Sequence, residues 1–208
     1  MRKKLLSFAI AFFRCLWYHT YKDGANHVVF AYPKKRVKME NKMNKTVIVI
    51  NGAGGVGKDT LCEFAYKHFK VMNVSSITPI KEIAAMCGWG GEKTDKARRF
   101  LSDLKALSIA YNDYPTLWAT KKYKEFLASD FEIMFVHIRE AEEISKFVAA
   151  TEGKAKTLLI RGGARMSKSS YGNVSDDGVE NYPYDYYFVN DMTLDEAEEA
   201  FVSFLRKM

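Results

Sequence analysis

Cysteine is scarce in this chain of 208 residues: there are three, Cys15, Cys62 and Cys87, far apart and with no paired spacing. That excludes a disulfide framework and a cysteine metal motif, and it makes a reducing, cytoplasmic compartment the simpler expectation. Histidine is as thin. His19, His27, His68 and His137 show no metal-ligand spacing. Internal repeats are absent. An apolar run long enough to cross a bilayer is missing too, since the N-terminal stretch from Leu5 to Phe13 is about ten residues shorter than a comfortable span. Positive charge is in excess, net +7, but not evenly. Residues 1–45 carry eleven Lys and Arg against two acids, whereas residues 46–208 carry twenty-one against twenty-three. The basic excess therefore belongs to the N-terminal segment, and the remainder gives no bulk signal for nucleic acid. What is present in quantity is apolar side chain, 48% of the chain, enough for the core of one globular domain.

The start, Met1-Arg2-Lys3-Lys4 and then Leu5 to Phe13, has the basic and apolar regions of a signal peptide, but Cys15-Leu16-Trp17-Tyr18 is too bulky for a cleavage site. A helix lying on a membrane surface is an alternative. The favoured expectation is a dispensable basic extension and linker over residues 1–45, followed by the domain at 46–208, with no membrane and no nucleic acid as partner. A short strand over Val28 to Tyr32 is an option within the linker.

The domain opens on its most informative stretch. Thr46 to Ile50 is a β-branched apolar run that reads as a buried strand. Asn51-Gly52-Ala53-Gly54-Gly55-Val56-Gly57-Lys58-Asp59-Thr60 follows, and then Leu61, Phe64, Ala65 and Phe69 fall at helical spacing. Strand, glycine-rich turn and helix is the setting of a phosphate-binding loop, and Gly52-x-x-x-x-Gly57-Lys58 fits the Walker A spacing. The glycines let successive backbone N–H groups converge on phosphate oxygens. The helix start adds the positive end of its dipole, and Lys58 adds a point charge for the terminal phosphates. Asp59 stands where Ser or Thr usually holds magnesium.

Strand and helix signals alternate from there, which predicts a parallel sheet with helices on both faces. Strands are expected at Val71–Ile77, Phe131–Ile138 (central, being almost wholly apolar), Thr157–Ile160 and Tyr186–Val189. Helices are expected from Pro79, over Lys93–Tyr111 with Ala97, Phe100, Leu101, Leu104, Leu107 and Tyr111 as one apolar stripe, from Pro115, over Glu140–Ala150, and after Thr193 with Glu196 as its capping-box partner. Residues 161–183 read as a long polar loop, and a loop of that length in a compact domain is usually functional or disordered.

In an open parallel sheet, ligands bind beyond the carboxyl ends of the strands. The residues there are the loop itself; Ser76, Thr78 and Lys81; His137 and Arg139; Arg161 and Arg165; and Asn190 and Asp191. Arginines after two strands suit a reaction that builds charge on a transferred phosphoryl group. The plainer alternative is that they pair with surface acids, Glu142 and Glu143 in the case of Arg139. Arg98, Arg99 and Lys81 are candidates for an acceptor phosphate or for a solvated helix face. Asp59 and Thr60 are the candidates to order magnesium.

Gly57-Lys58-Asp59-Thr60 resembles the loop of phage-type deoxynucleoside monophosphate kinases, and a related loop occurs in one branch of phosphomevalonate kinases. Thr78-Pro79-Ile80-Lys81-Glu82, Arg98-Arg99-Phe100-Leu101, Arg139, and Asn190-Asp191-x-Thr193-Leu194 resemble further segments of that family. The resemblance implies a P-loop NTPase fold with a five-stranded parallel sheet in the order 2-3-1-4-5. It implies ATP and Mg2+, and transfer of the γ-phosphoryl to a (deoxy)nucleoside monophosphate. In that frame Gly52, Gly54, Gly55, Val56, Gly57, Lys58, Asp59 and Thr60 hold ATP, with Arg165 from a lid. Lys58, Asp59, Arg139 and Arg161 act on the transferring group, and Lys81, Arg98 and Arg99 hold the acceptor. His137 replaces the family's aspartate before Arg139, and Gly162 replaces a second arginine beside Arg161. Dephospho-coenzyme A as acceptor, and an ATP-binding module without turnover, remain the alternatives.

Overall fold

The computed structural model of the protein describes residues 45–163 and 178–208. Expectations that fall on 1–44 or 164–177 lie outside the described residues; they include most of the basic extension, the optional strand at Val28 to Tyr32, Arg165 and most of the lid loop. Five strands alternate with helices: β1 (Thr46–Asn51), α1 (Lys58–His68), β2 (Val71–Ser75), α2 (Thr78–Met86), α3 (Asp95–Asn112), α4 (Tyr114–Ala128), β3 (Ile133–His137), α5 (Ala141–Ala150), β4 (Lys156–Gly162), β5 (Tyr186–Asn190) and α6 (Leu194–Lys207). All neighbouring strands are parallel and the order is β2-β3-β1-β4-β5. This is the expected P-loop order, with helices on both faces.

The pattern of β1 explains the layering. Side chains alternate across a strand, so a strand covered on both faces must be apolar at every position. Val47 and Val49 pack with Tyr123 and Phe126 of α4 and Ile144 and Phe147 of α5. Ile48 and Ile50 face the other way, onto Leu61, Phe64 and Ala65 of α1 and Ala197, Phe201 and Leu205 of α6. Phe201 stacks on Phe135 with centroids 6.3 Å apart and meets Phe188 edge-on at 5.2 Å, so one aromatic of α6 ties β3 to β5. Lys45 closes the far end of the sheet layer by donating to the carbonyls of Phe126, Ser129 and Phe131 at the close of α4. The Thr193–Glu196 capping box at the start of α6 is present as expected.

Three expectations need correction. The strands end one or two residues from where the apolar runs end, because pairing and not hydrophobicity sets their limits: β2 stops at Ser75 and β3 at His137, while β4 runs on to Gly162. Arg161 therefore lies inside β4 and not beyond it. The stripe on α3 is not a core face. Of its residues only Ala97 is buried; Leu107 is 69% exposed and Tyr111 87%. The reason is position, since α3 packs chiefly on α2 and α4 and leans over the strand ends rather than lying on the sheet. Leu117 and Leu127 of α4 and Leu194 of α6 are likewise exposed.

Candidate active site

The turn after β1 is shaped by its glycines. Gly52, Gly55 and Gly57 have φ of 148°, 81° and 86°, values that L side chains rarely adopt. Gly57 is the residue before α1, and no side chain caps the helix there. The first-turn amides of α1 therefore point into the turn without a side-chain acceptor, which is what an anionic ligand requires. The Nζ of Lys58 folds back onto the loop and donates to the carbonyls of Gly52 and Ala53, the latter at 2.8 Å.

Polar side chains from other strands brace this turn. The Asn51 carboxamide, buried at the end of β1, accepts the Gly52 amide at 2.8 Å and donates to the Arg139 carbonyl at 3.0 Å and to the Tyr184 hydroxyl at 2.7 Å. Tyr184 in turn donates to the Val179 carbonyl at 2.9 Å. Burial of that phenol pushes its pKa up to about 12, so it remains a donor at any ordinary pH. Asn190, the last residue of β5, donates to the Val56 carbonyl at 2.9 Å. Among the described residues every one of these groups has its partner, as a buried polar network must.

Two cavities flank the turn. The larger, about 800 Å³, opens over β1, β2 and β3 and is lined by Lys58, Asp59, Lys81, Lys105, His137 and Arg139 among others. The second, about 480 Å³, lies on the opposite side of α1. It is lined by Thr60, Leu61, Phe64, Asn190, Met192 and Leu194. Asp59 and Thr60, adjacent in sequence, thus face different cavities, and Asp59 shares one with Lys58.

His137 ends β3, partly buried in the larger cleft. Its Nε2 lies 2.8 Å from Asn73 Oδ1 on β2 and 3.9 Å from the Cys62 sulfur on α1. Desolvation pushes its pKa below the ordinary value; Asp59 opposes this, while Lys58 and Arg139 add to it. The Cys62 thiol is pushed up to about 12 by burial first and by Asp59 next, so it is inert as a nucleophile.

The remaining expected residues are dispersed. Arg98 and Arg99 are exposed on the first turn of α3 and line neither cavity; Arg98 lies 3.9 Å from Asp95. Arg161 is held by Glu180 through two guanidinium nitrogens, the shortest contact being 2.6 Å, and lies over the Tyr187 ring at 4.5 Å. It lines neither cavity. The acids expected beside Arg139 have other partners: Glu142 pairs with Lys146 at 2.9 Å and Glu143 with Lys105 at 2.8 Å.

Nothing in the sequence marks Lys105 as a residue of the cleft. From α3 it enters the cleft and reaches Glu140 at 2.6 Å as well as Glu143, which is 5% exposed. Desolvation alone would lower the lysine's pKa, but the two carboxylates raise it overall. Burial raises the Glu143 pKa against the pull of Lys105 and the Ser76 hydroxyl. For Glu140 desolvation also acts upward, and Lys105 overcomes it, leaving a net lowering. Only the periodicity of α5 hinted at this cluster: Glu143 is flanked by the inward Ile144 and Phe147. Lys105→Met is expected to destabilise the protein by about 3 kcal/mol at pH 8, because Glu143 is left buried without its cation. The Glu143 carboxyl, with its folded pKa raised, contributes stability at low pH and loses it as pH rises through that pKa. The penalty should therefore shrink toward pH 5, and chemical denaturation at the two pH values measures it. Equal penalties would show that Lys105 matters through packing alone.

No protein-family model matches the chain, and no curated protein matches it in sequence. Among solved structures, it is similar to a tunicamycin resistance protein from Deinococcus radiodurans. The TM-score is 0.49 and the identity 9%, over 77% of this chain and 95% of that one. It is also similar to a gluconokinase from Sinorhizobium meliloti, at TM-score 0.43 and 14% identity over 79% and 93%. A shikimate kinase from Bacteroides thetaiotaomicron is matched at 0.38 and 14% over 77% and 98%. Likenesses this distant say nothing about what the chain acts on, and the fold assignment stands on the sheet order itself.

Proposed function

We propose that this chain is an ATP-dependent phosphotransferase that moves the γ-phosphoryl of ATP to a small acceptor in the larger cleft. One observation carries the reading: an uncapped helix start, a turn of positive-φ glycines and Lys58 lie at the edge of a cleft that Asp59 and Arg139 also enter. The loop amides and Lys58 would bind the β- and γ-phosphates, Lys58 leaving the Gly52 and Ala53 carbonyls to do so. The smaller cavity, with Leu61, Phe64 and Met192 in its walls, suits the adenine. Arg139 would neutralise charge that develops on the transferring group.

The residues present also fit magnesium. Hard oxygen donors are required, commonly one or two carboxylates with substrate phosphates and waters completing the shell. Asp59 offers such a carboxylate beside Lys58, and among the described residues no cluster of three or more His, Cys, Asp or Glu makes an all-protein site. The ion supplies charge neutralisation of the phosphates when bound. Thr60, facing the other cavity, is the weaker of the two candidates.

Asp59→Asn is expected to lower transfer about 100-fold and to raise the magnesium concentration needed for half-maximal rate, with almost no change in thermal stability because the carboxylate is exposed. A coupled assay of ADP release, titrated with MgCl2, measures both. A near-normal rate at low magnesium would remove Asp59 from the site.

A second reading, an ATP-binding module without turnover, draws on His137, which leaves Asp59 as the carboxylate nearest the phosphate loop. Within the enzyme reading, the Gly57–Thr60 loop and Lys81 support a (deoxy)nucleoside monophosphate as acceptor. Arg98 and Arg99, outside the cleft, weigh against it and equally against dephospho-coenzyme A.

A further inference from the structure

In the half of the larger cleft away from the phosphate loop, Lys81 and Lys105 share the wall with Glu140, and Glu143, buried behind that wall against Lys105, makes the charges of the group sum to zero. Lys105 is committed to both carboxylates, and Glu140 itself lines the cleft. A monophosphate brings nearly two negative charges at neutral pH, its second pKa being about 6. It would meet one lysine and the face of a carboxylate. A neutral molecule with hydroxyl groups fits better, since ionised carboxylates are acceptors only and need donors.

His137 is the second, independent feature. It pairs in register with Ser75, and its carbonyl accepts the Ser76 amide at 3.2 Å. Ser76 is buried next to Glu143, so the imidazole and the neutral cluster belong to one wall built by β2 and β3. Asn73 Oδ1 is an acceptor, so the tautomer it selects is protonated at Nε2, leaving Nδ1 with the free lone pair. Phosphate acceptors are already anionic and need no base. An alcohol does need one, because its oxygen must lose a proton as it is phosphorylated.

We propose that the acceptor is a neutral, hydroxyl-bearing small molecule held against the Lys105–Glu140 pair, and that His137 takes its proton. The inference rests on the phosphotransferase reading and narrows it. The acceptor's O–H bond breaks with the proton passing to Nδ1, and the oxygen forms a bond to the γ-phosphorus. The bond from that phosphorus to the β–γ bridging oxygen breaks, ADP leaves with its electron pair, and the imidazolium returns its proton to water. Lys58, Asp59 and Arg139 surround the imidazole on the phosphate side, with Lys81 and Lys105 in the same cleft.

The test uses the full chain with radiolabelled ATP, MgCl2 and matched acceptor pairs: thymidine and its 5′-monophosphate, glucose and its 6-phosphate, glycerol and its 3-phosphate. Label is expected on at least one unphosphorylated member, with kcat/KM at least about tenfold above its phosphorylated partner. His137→Gln should then lower kcat about 100-fold with KM for ATP unchanged. Glu140→Gln should raise KM for the acceptor and leave ATP affinity alone. Preference for the monophosphate of a pair, or ATP binding with no transfer to any neutral member, overturns the inference while leaving nucleotide binding intact. Loss of ATP binding by the unaltered chain overturns the phosphotransferase reading itself.

Discussion

Lys58→Ala is expected to reduce phosphoryl transfer by about 1,000-fold, the scale on which a single preorganised charge at a transferring group acts. ATP affinity should fall with it, since the same ammonium contributes to the ground state. The fold should not suffer. The Lys58 ammonium donates to the carbonyls of Gly52 and Ala53, within its own loop, and the β1 and α1 that flank it are held by the apolar cluster of Ile48, Ile50, Leu61, Phe64 and Ala65. Lys58→Arg should not restore activity, because a planar fork cannot replace a compact ammonium in a turn built this tightly. Isothermal titration with a non-hydrolysable ATP analogue, the turnover assay and a thermal melt separate the three effects. Full-strength nucleotide binding by Lys58→Ala would remove the phosphate-loop assignment altogether.

The second large effect is on stability and is expected from Gly52→Ala. A Cβ at Gly52 would lie 2.4 Å from the Ile160 carbonyl oxygen and 3.1 Å from a Val56 methyl, with φ at 148°. The first obstacle is backbone of β4, the next strand in the sheet, and it cannot step aside without breaking its own pairing with β1. The expected loss is about 3 kcal/mol, or roughly 6–12 °C in melting temperature for a chain this long. Gly55→Ala is the control. It also replaces a positive-φ glycine, at 81°, but its Cβ would enter open space, so it should cost only about 1 kcal/mol. Equal melting temperatures for the two variants would show that the contact with β4 relaxes freely.

Much of this architecture was legible from the order of residues. Thr46 to Ile50 could only be a strand covered on both sides, the glycine turn could only precede a helix, and the Thr193–Glu196 pair marked a helix start. Each of these signals is local, and each concerns groups that satisfy one another within a few positions. The candidate site was legible where it is also local, from Gly52 to Thr60. It was not legible where it is assembled from a distance. Lys105 looks like any lysine on a helix surface until Glu140 and Glu143, some thirty-five residues on, are brought beneath it. Arg98 and Arg99 are acceptor candidates through the resemblance of Arg98-Arg99-Phe100-Leu101 to a family segment, and a resemblance of sequence does not say where a helix leans: on α3 both are exposed and line neither cavity. Arg161 was misplaced for another reason: a run of apolar residues marks the part of a strand that is buried, and β4 continues past it.

The hydrogen bonds that radiate from Asn51 bear on how the protein opens rather than on how it closes around a ligand. They join the end of β1 to the segment after β3 and, through Tyr184, to the turn before β5. Local unfolding proceeds in cooperative units, and a segment fastened to two others cannot fray on its own. Opening the ligand-binding end of the sheet therefore requires breaking its bonds to both of those segments. The ordering entropy of the phosphate loop is then incurred when the chain folds, not when nucleotide arrives.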